Sequence, residues 1–230
     1  MTVAANGLHL DPADTRLDSG VTHRWTYRIR DDSGAVVTEF EEAHDQLAHL
    51  ILVRRDLAHF QHLHPTLGAD GTWTTTFTLP EPGTYRAFVD VVVDAQSTTL
   101  GVDILTSGAA DYETHPEPTR TKTVEGYTVT MTPEHVTHGT DTPLEFEIRG
   151  DGGVAHLDPY LGALGHLVAL RDGDLAYLHV HPEKTDPKGG VIRFIVQFPT
   201  PGRYRLFLQA KPHGELITTW FDVRIDHRPE

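Results

Sequence analysis

The chain has 230 residues, 38% of them hydrophobic and 23% charged, which suits one large domain or two domains of about 115 residues each. The formal net charge is −14, so we expect no nucleic-acid partner, and no apolar run reaches the roughly 18 residues of a membrane span, so we expect no membrane insertion. The absence of cysteine excludes disulfides and thiolate metal sites, whereas 16 histidines favour chemistry based on imidazole.

The chain contains an internal duplication. Three segments of the first half recur in the second half at an offset of 117 or 119 residues: Trp25–Arg30 as Leu144–Arg149, Ala48–Pro65 as Gly165–Pro182, and Leu79–Asp90 as Phe198–Gln209. Each half alternates apolar and polar residues in short runs between Gly, Pro and Asp turns, which is typical of strands in a β-sandwich. The sequence therefore predicts an all-β fold class, with two tandem Ig-like β-sandwich domains that arise from internal duplication.

The predicted domain boundaries follow from the duplication. Residues 1–107 form the first predicted repeat and residues 125–230 form the second. Residues 108–124 are rich in proline, threonine and charge, which favours a linker between the two repeats.

A histidine hairpin is predicted in each repeat. In the second repeat, the dipeptide Asp172-Gly173 favours a two-residue type I′ turn, and a hairpin centred there pairs His166 with His179. His181 lies two residues farther along the strand and therefore on the same face. The second repeat thus predicts three imidazoles on one face of one sheet.

The first repeat predicts the same arrangement. A hairpin centred on Arg55-Asp56 pairs His49 with His62, with His64 as the diagonal neighbour. Opposed Cβ atoms are about 4.5–5.5 Å apart and diagonal ones about 7–8 Å, so three imidazole nitrogens can converge on one cation at about 2.0–2.1 Å. Burial and like charge oppose protonation of all three, and a divalent cation resolves this conflict. The alternative is a set of structural histidines without a metal.

His44 is a candidate fourth ligand in the first repeat. It lies five residues before His49, and strict alternation places it on the opposite face of the strand. It therefore needs a bulge or a loop to reach the other three histidines.

The two histidine segments also resemble a known family. HLILVRRDLAHFQHLHP and YLGALGHLVALRDGDLAYLHVHP resemble bacterial two-repeat Ig-like proteins with the pattern H-L-x-x-V-x-x-D-x-x-x-F-x-H-x-H-P, near the YtkA-like domains and linked with copper and heavy-metal handling. Six histidines match this pattern: His49, His62 and His64 in repeat one, and His166, His179 and His181 in repeat two. The resemblance implies an extracytoplasmic protein whose signal segment has been removed, and a cytoplasmic location stays open.

The composition narrows the choice of metal. With no cysteine and two methionines, a thiolate or thioether Cu(I) site is not available. Imidazole suits divalent transition metals, so Cu(II) is the first expected cofactor and Zn(II) the second. We expect a protein for metal buffering or handling, whose partners are the metal ion and a protein for metal delivery.

Two alternatives stay open. One is a metal-dependent enzyme, because three histidines with an open coordination position also describe a catalytic copper or zinc site. Binding is favoured over catalysis because the glutamate that cupins place four or five residues after His-x-His is absent here. The other alternative is an Ig-like interaction module, since the fold alone does not define the function.

Overall fold

The protein consists of two compact units, Met1–Thr114 and His115–Glu230. The computed structural model describes residues 2–114, 117–183 and 185–227, without the side chains of His179 and His181. Within this part of the chain, no helix is long and apolar enough to cross a membrane.

The described part of the first unit contains ten strands. They are β1 (Ala4–Ala5), β2 (Leu8–Pro12), β3 (Arg16–Leu17), β4 (Thr22–Asp31), β5 (Ala48–Arg54), β6 (Gln61–Leu63), β7 (Thr66–Leu67), β8 (Trp73–Thr78), β9 (Thr84–Val93) and β10 (Gln96–Thr106). One sheet has the order β1-β2-β4-β8-β7, and the other has the order β3-β10-β9-β5-β6.

The described part of the second unit contains twelve strands and one short 3-10 helix, Pro187–Gly189. The strands are β11 (Thr121–Val124), β12 (Tyr127–Thr132), β13 (Val136–Thr137), β14 (Asp141–Gly150), β15 (Gly153–Val154), β16 (Leu157–Asp158), β17 (Gly165–Arg171), β18 (Tyr177–His179), β19 (His181–Pro182), β20 (Val191–Gln197), β21 (Gly202–Pro212) and β22 (Ile217–Asp226). The sheets run β11-β12-β14-β20-β19 and β13-β22-β21-β17-β18, with β15 added beside β14 and β16 beside β21.

The two units have the same topology. Each five-strand order of the first unit recurs in the second unit, strand for strand. All neighbours in these orders are antiparallel except one pair in each unit, β3 with β10 and β13 with β22, which are parallel. The duplication in the sequence is therefore a duplication of the whole sandwich.

The core of each unit lies between its two sheets and follows the alternation of the sequence. In β4, the alternate residues Trp25, Tyr27 and Ile29 are buried, as period-2 side chains require. Near the start of β9, the Tyr85 hydroxyl donates to the Glu81 carbonyl at 2.9 Å. In the second unit, the Tyr204 hydroxyl donates to the Thr200 carbonyl at 3.1 Å. Such a tyrosine corner is a hallmark of Ig-like sandwiches. The predicted fold class, two tandem Ig-like sandwiches, is confirmed.

The segment assigned to the linker is partly structured. Its last residues form strand β11, which pairs with β12. Just before the boundary between the units, Asp111 accepts a hydrogen bond from the Arg54 guanidinium at 3.1 Å, and the Glu113 N–H donates to Asp56 at 2.7 Å. Asp111 and Glu113 are therefore held within the first unit by these two hydrogen bonds.

Candidate metal site

The histidine hairpin of the first unit has a different register from the predicted one. Leu50 pairs with Leu63, and Ile51 pairs with His62. The prediction that His49 lies directly opposite His62 is therefore wrong by two residues.

The turn between β5 and β6 causes this shift. The Arg54 N–H donates to the Ala58 carbonyl at 2.9 Å, and the Arg54 guanidinium donates to both carboxylate oxygens of Asp56 at 2.9 and 2.7 Å. Leu57 and His59 have positive φ angles of 67° and 55°, which turn the chain. These contacts make a six-residue turn, from residue 55 to residue 60, in place of a tight turn centred on residues 55 and 56.

The second unit shows the same kind of shift. A five-residue turn, residues 172–176, joins β17 to β18, so the predicted two-residue type I′ turn is wrong. Val168, not His166, pairs with His179. The Arg171 guanidinium donates to Asp174 at 2.9 Å, and this contact again spans the wider turn.

The three histidines of the first unit nevertheless lie together. A shift of two residues leaves His49 and His62 on one face of their sheet, and His64 follows directly after β6. The ring centroid of His49 is 5.2 Å from those of His62 and His64, which are 4.8 Å from each other. One nitrogen of each residue lies within 4.8 Å of the other two. We call His49, His62 and His64 the first-repeat cluster.

This cluster lies where the edges of two sheets meet. His62 belongs to β6, the edge strand of one sheet, and β7 is the edge strand of the other. His64 lies between these two strands, so it is outside the sheet that carries the other two histidines. The prediction that all three histidines lie on one face of one sheet is therefore wrong. The cluster lies where the chain crosses from one sheet to the other.

His49 is held in a defined orientation. It is 6% exposed, and its Nε2 lies 2.9 Å from the Ala43 carbonyl, which can only accept, so Nε2 carries the proton in the neutral ring. Its Nδ1 then has the lone pair, 3.0 Å from His62 Nε2. A hydrogen bond of this kind selects the tautomer and fixes the direction of the other ring nitrogen.

His64 has a neutral ring and a buried ring nitrogen. Burial, with a smaller contribution from the His49 charge, lowers its pKa from 6.5 to about 4, so the ring is neutral at physiological pH. Its Nε2 is buried and has no hydrogen-bond partner within the described residues. A buried polar atom without a partner is costly, and a bound cation would remove this cost.

His44 lies beside the cluster. It occupies a tight turn in which Ala43 and Gln46 exchange two backbone hydrogen bonds of 2.9 and 3.2 Å, with positive φ angles at His44 and Asp45. This turn takes His44 out of strand alternation, and its ring lies 6.0 Å from that of His49. The nitrogens within 4.8 Å belong to the first-repeat cluster, and His44 as fourth ligand stays a prediction.

The second repeat is described in part. His166 is 9% exposed, and its Nε2 lies 3.2 Å from the Leu161 carbonyl, a contact similar to that of His49. His181 pairs with Ile195 in the other sheet, so the prediction that it shares one sheet with His179 is wrong. The side chains of His179 and His181 lie outside the described residues, and a site formed by His166, His179 and His181 stays a prediction.

Sequence reasoning missed one neighbour of the cluster, Asp90. This residue pairs with His49 across β5 and β9 and is 6% exposed. The Thr99 hydroxyl donates to its carboxylate. The alternation in β9 places Asp90 on an outer face, but its proximity to His49 becomes visible only when the pairing of the two strands is known.

Comparison with protein families places the chain. A family described as a domain of unknown function, DUF8832, matches residues 3–108 and again residues 122–227. The chain belongs to the DUF8832 family. The two DUF8832 matches confirm the two-repeat part of the resemblance. They give no support to kinship with YtkA-like or copper-associated proteins. No curated protein matches this DUF8832 chain.

Solved structures similar to this DUF8832 protein include tandem domains at low identity. A solved chain of the adhesin FdeC of Escherichia coli is 14% identical, with a TM-score of 0.31, over 98% of this chain and 65% of that one. The protein therefore spans about two thirds of that solved chain. The titin Ig tandem A164-A165 is 13% identical, with a TM-score of 0.25, over 96% and 97% of the two chains. Domains 4 and 5 of the S-layer protein SbsC are 12% identical, with a TM-score of 0.27 and 96% coverage of both chains. These likenesses concern the fold alone.

Proposed function

We propose that the protein binds a divalent transition-metal ion at the first-repeat cluster, for metal buffering or handling. The observation that carries this proposal is the convergence of three imidazole nitrogens within 4.8 Å of one another. Two further features support it. His49 presents Nδ1 because its Nε2 contacts a carbonyl, and His64 presents a buried Nε2 without a hydrogen-bond partner in the described chain.

The donor set decides which metals fit. Three neutral imidazoles suit Cu(II), which has the highest affinity of the divalent series, and next Zn(II), which takes three histidines and one further ligand. The metal-binding role needs only the three nitrogens, whereas a metalloenzyme would use the same nitrogens and keep the fourth position for substrate. The net charge of −14 raises the local concentration of cations.

An Ig-like interaction module is the second candidate. Its specific observation is Trp220 on β22, which is 43% exposed and carries the Lys122 ammonium 5.6 Å from its ring centroid. Exposed tryptophan is enriched among residues that dominate protein interfaces. In this role the chain would act outside the cytoplasm and contact another protein through its second unit.

Titration calorimetry of the full chain tests the metal proposal. Zn(II) and Cu(II) are titrated at about pH 7.5, where exposed imidazole is neutral, into the parent and into a variant with His62→Ala and His64→Ala. We expect this variant to lose one tight equivalent, because only one nitrogen of the cluster is left. The matched control carries His9→Ala and His135→Ala, two exposed positions, and is expected to keep the parent stoichiometry. An unchanged stoichiometry in the cluster variant would contradict the proposal.

A further inference from the structure

We infer that Asp90 gives the first-repeat cluster a preference for divalent over monovalent ions. This inference rests on the proposed function of the cluster. It assigns to Asp90 the role of a specificity-determining charge and not that of a ligand.

The strand register places this charge beside the cluster. Asp90 lies directly opposite His49 in the antiparallel pair of β5 and β9, so their side chains share a face and their Cβ atoms are about 4.5–5.5 Å apart. Thr99 lies opposite Asp90 on the next strand and donates its hydroxyl to the carboxylate. His49, Asp90 and Thr99 thus form one row across three strands.

The contribution of Asp90 to this row is its charge. The two ring nitrogens of His49 already contact the Ala43 carbonyl and His62, so the tautomer of His49 is set without Asp90. Asp90 is 6% exposed, and a charge removed from solvent is weakly screened by salt. Since Coulomb attraction scales with the charge of the ion, this carboxylate favours a dication twice as strongly, in free energy, as a monocation at the same place.

The second repeat contains the same row without the charge. At the offset of 119, Asp90 corresponds to Gln209 and Thr99 to Thr218. Gln209 pairs with His166, and its amide donates to the Thr218 hydroxyl at 3.1 Å. The second repeat thus has a neutral amide where the first has a carboxylate, so the two rows differ in charge.

The test compares a dication with a monocation at the first-repeat cluster. The background is the full chain with His179→Ala and His181→Ala, and the probes are Zn(II) and Ag(I), both of which imidazole binds. Asp90→Asn keeps the acceptor for Thr99 and removes the charge. We expect it to weaken Zn(II) binding about 10- to 100-fold, the usual effect of changing a residue next to the ligands, and Ag(I) binding by about the square root of that factor.

Two further variants support this comparison. Asp90→Gln introduces the residue that occupies this row in the second repeat. It replaces the Asn variant in the comparison if a thermal melt shows that the Asn variant is not folded. Asp103→Asn is the matched control. It changes the net charge equally on the same face of β10, but it lies four residues from Thr99, about 13 Å along the strand, so we expect less than about a twofold change for either ion.

Each outcome is decisive. A larger loss for Zn(II) than for Ag(I) in the Asp90 variants supports the inference. Equal losses for the two ions would show a packing effect and overturn it, as would unchanged binding, and in both cases the metal proposal would stand. Absence of binding in the background protein would overturn both.

Discussion

The Asp56→Ala substitution tests how the first unit holds its histidine hairpin. Asp56 is 5% exposed at its side chain, and it pairs with Arg54, whose side chain is fully buried. Asp56 also accepts the N–H groups of Ala58 at 3.3 Å and Glu113 at 2.7 Å. The substitution therefore removes the partner of a buried guanidinium, one backbone hydrogen bond within the turn and one hydrogen bond that ties residue 113 to the turn.

The expected loss of stability is about 3 kcal/mol. Removal of one partner from a buried ion pair costs about 3–5 kcal/mol, and Arg54 keeps a 2.6 Å contact with Glu81, which is 53% exposed. This contact places the effect at the lower end of the range. The matched control is Asp174→Ala, because the Arg171–Asp174 pair spans the corresponding turn with side chains 28% and 54% exposed. Exposed pairs contribute about 1 kcal/mol or less.

Urea denaturation followed by tryptophan fluorescence separates the two units. Trp25 and Trp73 of the first unit are 2% and 0% exposed, whereas Trp220 of the second is 43% exposed, so the emission shift reports mainly on the first unit. Far-UV circular dichroism, which follows the strands of both units, gives the midpoint of the second unit for the Asp174 control. With a slope of about 2 kcal/mol per M urea, Asp56→Ala should lower the midpoint by about 1.5 M. Equal, small shifts for the Asp56 and Asp174 variants would refute the assignment of Arg54–Asp56 as a buried pair that sets the turn.

Two further predictions concern pH and packing. Since burial lowers the pKa of His64 from 6.5 to about 4, the unfolded chain takes up this proton first, and the metal-free first unit should lose stability as the pH falls from 6.5 toward 4. Urea midpoints at pH 7.5 and pH 5 measure this loss of stability, and the His64→Gln variant should show a smaller loss. A loss as large as that of the parent would contradict the assignment of this pH dependence to His64. In the second unit, a Cβ added at Gly165 would lie 2.7 Å from Ile192 Cδ1 and 2.8 Å from the Gln209 carbonyl. Gly165→Ala should therefore cost about 1–3 kcal/mol, although alanine occupies the equivalent position 48, and a thermal melt unchanged by this substitution would contradict the contact.

The fold was predictable because its signals are local and repeated. Period-2 alternation, as in Trp25, Tyr27 and Ile29, identifies strands without knowledge of their partners. The duplication supplies the same evidence twice. The common face of His49 and His62 was also predictable, since a register error of two residues keeps both side chains on their side of the sheet.

The register and the crossing between sheets were not predictable in this way. The turn after β5 is wide because Arg54, Asp56 and Ala58 form hydrogen bonds with one another. The dipeptide Arg55-Asp56, on which the prediction centred the turn, does not reveal these hydrogen bonds. His64 and His181 leave the sheet of the preceding histidine because the chain crosses to the other sheet at this point. Asp90 could be recognised as a neighbour of His49 only from the pairing of β5 with β9, two strands that are far apart in sequence.

The most direct test of the metal proposal is the metal content of the protein purified without an affinity tag. Mass spectrometry is applied to the parent, to a variant with all three histidines of the first-repeat cluster changed to alanine, and to the variant with His9→Ala and His135→Ala. The account predicts that the cluster variant contains one equivalent of copper or zinc less than the parent and than the control. Equal metal content in all three proteins, or none after reconstitution at about pH 7.5, would contradict it.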